Sequence, residues 1–318
     1  MIRTALCDLV GIKYPIFQGG MAWISDASLA SAVSNAGGLG VISAMNADGG
    51  YLSGQIRQCR EMLKDPALPF GVNIMLMSPF ADQVAQTVIE EKVPVVITGA
   101  GLPAKYMKSW VEAGIQVIPV VPSTGIAKMV ERMGAAAVVA EGGESGGHVG
   151  DLTTMTLVPQ VVDAVKIPVV AAGGIADGRG VAAAFMLGAV GVQCGTRFLT
   201  AQECTVHPAY KKKILAARDI DTIVTGKRLG HPVRSLKNQF SRRFGEMEYD
   251  TSISDAEIEA FGAGSLRHAA KDGDVQNGSV MAGQCAAMVH DEKSAQAIIQ
   301  DLFIQAEQVL AHAKDYRA

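Results

Sequence analysis

Short apolar runs rich in valine and isoleucine recur along the first two-thirds of the chain. Each gives way to a glycine-bearing or polar turn and then to a stretch with apolar residues three and four apart. This alternation predicts strands over Pro15–Gln18, Leu39–Ser43, Phe70–Met75, Val93–Thr98, Gln116–Val121, Ala136–Glu141, Pro168–Ala172 and Val190–Cys194. It predicts helices near Asp26–Ala36, Leu52–Leu63, Ala81–Glu91, Ala104–Ala113, Gly125–Met133, Leu157–Val165 and Gly178–Leu187. Ser25 or Asp26 can cap the first of these helices, Thr156 the sixth and Asp177 the seventh. Pro159 falls in the sixth helix's first turn, where a missing N–H has no helical partner anyway. Strands alternating with helices imply parallel pairing through right-handed crossovers. Eight strands are the number that closes a (β/α)8 TIM barrel, and a doubly wound open sheet is the alternative.

After Cys194 the rhythm stops. The expected organisation is a barrel built from 1–203 and 265–318, with a small, mainly helical insertion at 204–264 after the eighth strand, lying over the barrel mouth. Residues 205–245 carry ten basic side chains (Lys211, Lys212, Lys213, Arg218, Lys227, Arg228, Arg234, Lys237, Arg242 and Arg243) against Asp219 and Asp221. The whole chain has a net charge of −3, so the remainder carries −11. A solvated helical face is one reading of that run, and a docking surface for an acidic partner is the other. The tail reads as helix again over GSVMAGQCAAMV, and a long amphipathic segment from Ser294 to about Ala313 supplies the last helix of the ring.

Composition narrows the class. With 318 residues, 49% of them hydrophobic and 35 glycines, the chain has the size and apolar content of an α/β barrel enzyme with an insertion. The cysteines Cys7, Cys59, Cys194, Cys204 and Cys285 form no CxxC pair, so neither a disulfide framework nor a zinc site is expected. The start holds no apolar stretch of signal-peptide length before Lys13 and Pro15. The most apolar run, Gly180 to Cys194, falls short of the roughly 20 residues of a membrane helix. A cytoplasmic protein that engages neither membrane nor nucleic acid is expected, and a homodimer is plausible.

Candidate chemistry gathers at the strand ends. The seventh strand runs into Gly173-Gly174 and the eighth into Gly195-Thr196. Glycine lets backbone N–H groups approach a phosphate, and the threonine adds a hydroxyl. Asn73 interrupts an apolar strand, and a buried amide needs partners. Gln18-Gly19-Gly20-Met21 closes the first strand. The sixth strand breaks into EGGESGGHVG, with five glycines within 142–150 and His148 on a glycine-hinged loop. A phosphate anchor, an amide-lined floor and a mobile histidine opposite fit a flavin mononucleotide (FMN) site.

These residues match a known family. PIFQGGMAWIS, FGVNIM, AEGGESGGHVG, IPVVAAGGIADG, GVQCGTRF, ARDIDT, GHPVRSLKNQ and GSVMAGQ span nearly the whole chain. With them the chain resembles the flavin-dependent enoyl-acyl-carrier-protein reductases (enoyl-ACP reductase II), in the superfamily of nitronate monooxygenases, once called 2-nitropropane dioxygenases. The barrel motifs are shared by the whole superfamily, whereas the insertion and the GSVMAGQ tail look more like the reductase branch. Gly143 stands where a methionine or similar residue is expected. The resemblance implies a TIM barrel holding FMN, with the phosphate on Gly173, Gly174, Gly195 and Thr196. Asn73, Gly20, Met21, Met281, Ala282 and Gln284 would line the ring, and His148 would be catalytic. It also implies NADH or NADPH as co-substrate, acyl carrier protein as the partner bearing the enoyl substrate, and possible activation by a monovalent cation whose ligands the sequence does not give. No other metal is expected.

In that reading the protein reduces a trans-2-enoyl thioester in type II fatty acid biosynthesis. His148 acts as the acid at the α-carbon or as a hydrogen-bond donor to the thioester oxygen. The basic insertion steers the acidic carrier. Three alternatives compete. Nitronate oxidation by O2 needs neither nicotinamide nor a basic lid, and a barrel that only binds a phosphorylated metabolite would be colourless. A dehydrogenase of the IMP type needs a nucleophilic cysteine at the mouth, and neither Cys194 nor Cys204 is placed for that.

Overall fold

The computed structural model describes residues 2–44 and 47–316. Eight parallel strands form one sheet: β1 (Ile16–Gln18), β2 (Gly40–Ser43), β3 (Phe70–Met75), β4 (Val95–Gly99), β5 (Gln116–Val121), β6 (Val138–Glu141), then, after a two-residue strand β7 (Gly147–His148) that belongs elsewhere, β8 (Val169–Ala172) and β9 (Gly191–Cys194). Their order is β1-β9-β8-β6-β5-β4-β3-β2. A parallel bridge between Phe17 and Leu39 joins the two ends, with the Gln18 N–H donating to the Leu39 carbonyl at 3.0 Å. The sheet therefore closes into the predicted (β/α)8 barrel.

Alternation along these short strands sorts the core into two. Phe17, Val41, Ile97, Ile118, Val139 and Val170 point inward, while Ile42, Val72, Val96, Val138, Ala171 and Val192 pack outward against the helices. A short N-terminal helix, α1 (Ala5–Val10), contributes buried Leu6, Cys7 and Val10 to the inner cluster and so plugs the barrel floor. Its six residues are too few to show periodicity, and the sequence pattern does not predict it.

The outer helices α2 (Ala27–Asn35), α3 (Gly49–Met62), α4 (Ala81–Glu90), α5 (Ala104–Glu112), α6 (Thr124–Arg132), α7 (Thr154–Ala164) and α8 (Gly178–Met186) lie close to their predicted positions. The last helix, Ala295–His312, packs on α8 and α2 and completes the ring. Asp26 and Asp177 cap α2 and α8. The sixth-helix expectation needs correction. α7 begins at Thr154, not near Leu157, so Thr156 lies inside it and Pro159 sits beyond its first turn. The reason is a distant cap. The Glu144 carboxylate accepts from the Thr154 N–H at 2.9 Å and from its hydroxyl at 2.9 Å, so satisfied donors start the helix earlier.

Over the mouth, residues 204–264 hold α9 (Pro208–Leu215), α10 (Gln239–Tyr249) and α11 (Asp255–Gly262), together with strands β10 (Thr222–Thr225) and β11 (Val233–Leu236). Beside these helices, its antiparallel β10–β11 pair takes β7 as a third strand, with Val233 opposite His148. The GSVMAGQCAAMV stretch is not helical up to Gly283. Met281 bridges to Ser235, and only Gln284–Met288 forms a 3-10 turn. No helix among the described residues is long and apolar enough to cross a membrane.

Candidate active site

The ends of the barrel strands and the overlying segment enclose a cavity of about 820 Å³. Ligand sites of this kind span roughly 300–1,000 Å³, so it has room for a nucleotide-sized cofactor and a second molecule. Two of the three non-glycine residues with left-handed backbone among the described residues, Trp23 and Ala100, line it. Such strain tends to collect at functional sites.

Of the residues singled out from the sequence, Gly20, Met21, Asn73, His148, Gly173, Gly174, Gly195, Thr196, Met281 and Ala282 all line this cavity. Gln284 does not. Its side chain is exposed, its backbone N–H donates to the Glu144 carbonyl at 2.9 Å, and the lining passes from Gly283 to Cys285. A 3-10 turn begins at Gln284, and this turns the side chain away from the mouth.

One wall is made of glycine loops. Gly173 and Gly174 follow β8, and Gly195 and Thr196 follow the adjacent β9. The Thr196 hydroxyl accepts from the Gly283 N–H at 2.9 Å, which ties the C-terminal segment to this wall. Among the described residues, no lysine or arginine lines the cavity. An anion here would be met by backbone N–H groups and hydroxyls.

The wall beside it is the β6–α7 loop, which follows the strand paired with β8 and is held by backbone contact and by one guanidinium. A Cβ on Gly146 would stand 2.6 Å from the Ala282 carbonyl carbon, so only glycine lets the loop lie against Met281–Gly283. Arg234 on β11 donates to the Gly143 carbonyl from Nη2 at 2.8 Å and from Nε at 3.0 Å, and to Thr222 Oγ1 at 3.0 Å. His148 is thereby placed on the edge strand of the lid sheet. Solvent reaches its ring through the open cavity. Loss of hydration on the packed side, with His231 nearby, holds its pKa below the ordinary value.

Three features of the lining are not assigned from the sequence. Gln193 is buried, and its Oε1 has no hydrogen-bond partner; the buried Ser145 hydroxyl has only the Glu141 carboxyl to turn to. Glu141 ends β6 inside the cavity, where burial pushes its carboxyl up to about 7 although the neighbouring Ser145 pulls it back. An orphaned polar atom facing a cavity implies a polar ligand. An acidic residue at the end of an apolar strand is the cue the sequence offers for Glu141. Of the cysteines, burial pushes Cys285 and Cys204 up to about 11 and raises Cys194 further, so none is a ready thiolate.

The basic run is thinner than its sequence suggests. Lys211 is buried, bonded to the Ala201 carbonyl at 2.7 Å and paired with Glu292 at 2.8 Å. Arg218, Arg228 and Arg243 pair with Asp221, Asp255 and Glu246. Six acidic residues follow between 246 and 259, leaving 204–264 with a net charge of only +2. Lys212, Lys227 and Arg242 stay exposed and outside any ion pair among the described residues.

Comparison with known proteins agrees with this geometry. The nitronate monooxygenase family profile matches residues 3–85 and 76–305. A 5-hydroxy-7a-methyl-1-oxo-octahydro-1H-indene-4-carboxyl-CoA dehydrogenase of Rhodococcus jostii is 41% identical over 74% of this chain, the match spanning 66% of that protein. A probable nitronate monooxygenase of Staphylococcus saprophyticus is 34% identical over 97% of this chain and 99% of its own. The structure of FabK from Thermotoga maritima superposes with a TM-score of 0.96 at 48% identity, covering 99% of this chain and all of that one.

Proposed function

Because the chain belongs to the nitronate monooxygenase family of flavin-dependent oxidoreductases, we propose that it is an FMN-dependent enoyl-thioester reductase of the FabK (enoyl-ACP reductase II) kind, drawing electrons from NADH or NADPH. The observation that carries this reading is the meeting, in one cavity, of a cation-free glycine wall and an adjoining loop bearing Glu141 and His148. The similarity to FabK supports the acyl-carrier substrate. A relative named for a carboxyl-CoA substrate is consistent with thioester chemistry on this scaffold.

The residues present suit the cofactor. Gly173, Gly174, Gly195 and Thr196 offer backbone N–H groups and a hydroxyl to its phosphate. Gln193 Oε1 is a buried polar atom awaiting a partner, and Gly20, Met21, Asn73, Met281 and Ala282 would border the ring. Bound FMN supplies two-electron transfer between a nicotinamide and a conjugated double bond. His148 is held neutral near pH 7, which suits donation of an N–H hydrogen bond to the thioester oxygen as charge builds there. The arms of the 204–264 segment exclude water, and exposed Lys212, Lys227 and Arg242 face an acidic carrier protein.

The test is steady-state discrimination in air. Consumption of NADH or NADPH that depends on a trans-2-enoyl thioester is expected. Oxygen uptake driven by an alkyl nitronate, with no enoyl-dependent nicotinamide oxidation, would instead place the protein with the nitronate monooxygenases.

A further inference from the structure

Reducing a conjugated double bond consumes a proton as well as a hydride, and the cavity must hold that proton somewhere. His148 is poorly suited to hold it, since its imidazole is shifted toward the neutral form. Its ring also sits on the outer edge strand of the lid sheet rather than on the barrel floor. The alternative lies seven residues earlier on the same loop. Glu141 is the last residue of β6, in register with Ala172 of β8, and it opens into the cavity among Val120, Pro122 and Ala172. Among the described residues it is the only acidic one of the lining.

One neighbour favours ionised Glu141, the Ser145 hydroxyl, and burial outweighs it. The Glu144 carboxylate, which accepts from the Thr154 N–H and hydroxyl, carries the same sign of charge and does not favour an ionised Glu141. Arg234, the guanidinium nearest this loop, is bound to the Gly143 carbonyl and to Thr222. From the segment 281–285 the only titratable group is the Cys285 thiol, itself pushed up by burial. His148 and its neighbour His231 complete the set. No cation pairs with Glu141 among the described residues, and an unpaired carboxyl in a closing cavity retains its proton.

We propose that Glu141, and not His148, is the catalytic acid that carries the transferable proton of this site. This rests on the reading of the cavity as a flavin-dependent enoyl reductase site. In the reduction, hydride adds at the β-carbon and a proton at the α-carbon. The proton leaves the Glu141 carboxyl O–H, and the remaining carboxylate regains one from solvent through the mouth. The nicotinamide–flavin pair supplies both electrons. Filling the cavity with a phosphate-bearing ligand removes water and adds negative charge, and both favour the protonated carboxyl.

The first measurement needs no turnover. FMN is added to apo-protein in weakly buffered solution at pH 8, and proton uptake is followed with an indicator dye. The wild type should take up about one proton more per FMN than Glu141→Gln. A protonated-carboxyl band should appear in the infrared difference spectrum of the wild type, which keeps the test independent of how the variant folds. Equal uptake and no such band overturn the proposal, whereas a wild type that binds no FMN overturns the reading beneath it. The second measurement is the pH dependence of the enoyl half-reaction. Its alkaline limb, falling about tenfold per pH unit, should survive in His148→Ala, vanish in Glu141→Gln and return in Glu141→Asp. A limb that vanishes in His148→Ala and persists in Glu141→Gln assigns the proton to His148.

Discussion

The two walls of the cavity are built on opposite principles. The β8–β9 wall presents main chain: Gly173, Gly174, Gly195 and the Thr196 hydroxyl, with no cationic side chain. The β6–α7 wall presents side chains, Glu141, Ser145 and His148, on a loop pinned by Arg234 and by backbone contact with Met281–Gly283. Backbone amides cannot titrate and are fixed by the strands that carry them, so the first wall suits a constant ligand. Side chains on a pinned loop respond to charge and to lid position, so the second suits the reacting molecule. Holding and reacting are thus assigned to different kinds of group on adjoining loops.

That separation can be broken from either side. The largest effect is expected at His148. His148→Ala, which removes the hydrogen bond to the thioester oxygen, should lower enoyl-thioester reduction by roughly 10²- to 10³-fold, while FMN content, read from the visible spectrum of the purified protein, stays as in the wild type. Loss of both would show that the walls are not independent.

Next comes the glycine wall. Gly174 has φ +74°, so any side chain there strains the fold as well as the ligand. At Gly195 the backbone is αR, and a new Cβ would meet only the flexible Met21 side chain, at 3.7 Å. Gly195→Val is therefore the cleaner probe. Loss of one or two charge-assisted hydrogen bonds should weaken FMN about 10- to 100-fold, with the melting temperature of the apo-protein unchanged. Normal FMN affinity in Gly195→Val would move the phosphate elsewhere.

Arg234→Gln probes the pin itself. Freeing Gly143 and Thr222 should let the His148 strand leave the lid sheet, lowering turnover about tenfold while FMN affinity holds. Equal loss of FMN would mean that the pin supports both walls. The smallest effect concerns the carrier. Charge reversal at Lys212, Lys227 and Arg242 should raise KM for an acyl-carrier substrate about threefold at low salt and leave crotonyl-CoA unaffected, because exposed charges act mainly on encounter. Lys211 is left out because it is buried against Glu292, and reversing it would report on folding.

The two walls also differ in how far the sequence betrays them. The barrel strands and the glycine wall were legible because periodicity and Gly-Gly pairs at strand ends are local patterns. The hairpin of β10 and β11 was not, since each strand has four residues and its third partner is only Gly147–His148. The cap on α7 was misplaced to Thr156 because Glu144, ten residues upstream of Thr154, supplies the carboxylate. For Glu141 the sequence offers only its place at the end of an apolar strand. Its significance depends on which cations fail to reach it, a property of the folded chain. The basic run misled for the reverse reason, since the sequence shows its charges and hides their partners.

If both half-reactions of an enoyl reductase meet in this cavity, anaerobic stopped-flow of the FMN-loaded protein will separate them. NADH or NADPH should bleach the flavin absorbance, and a crotonyl thioester mixed in afterwards should restore it without oxygen. A flavin that nicotinamide leaves coloured, but that an alkyl nitronate bleaches and only O2 restores, would contradict their meeting here.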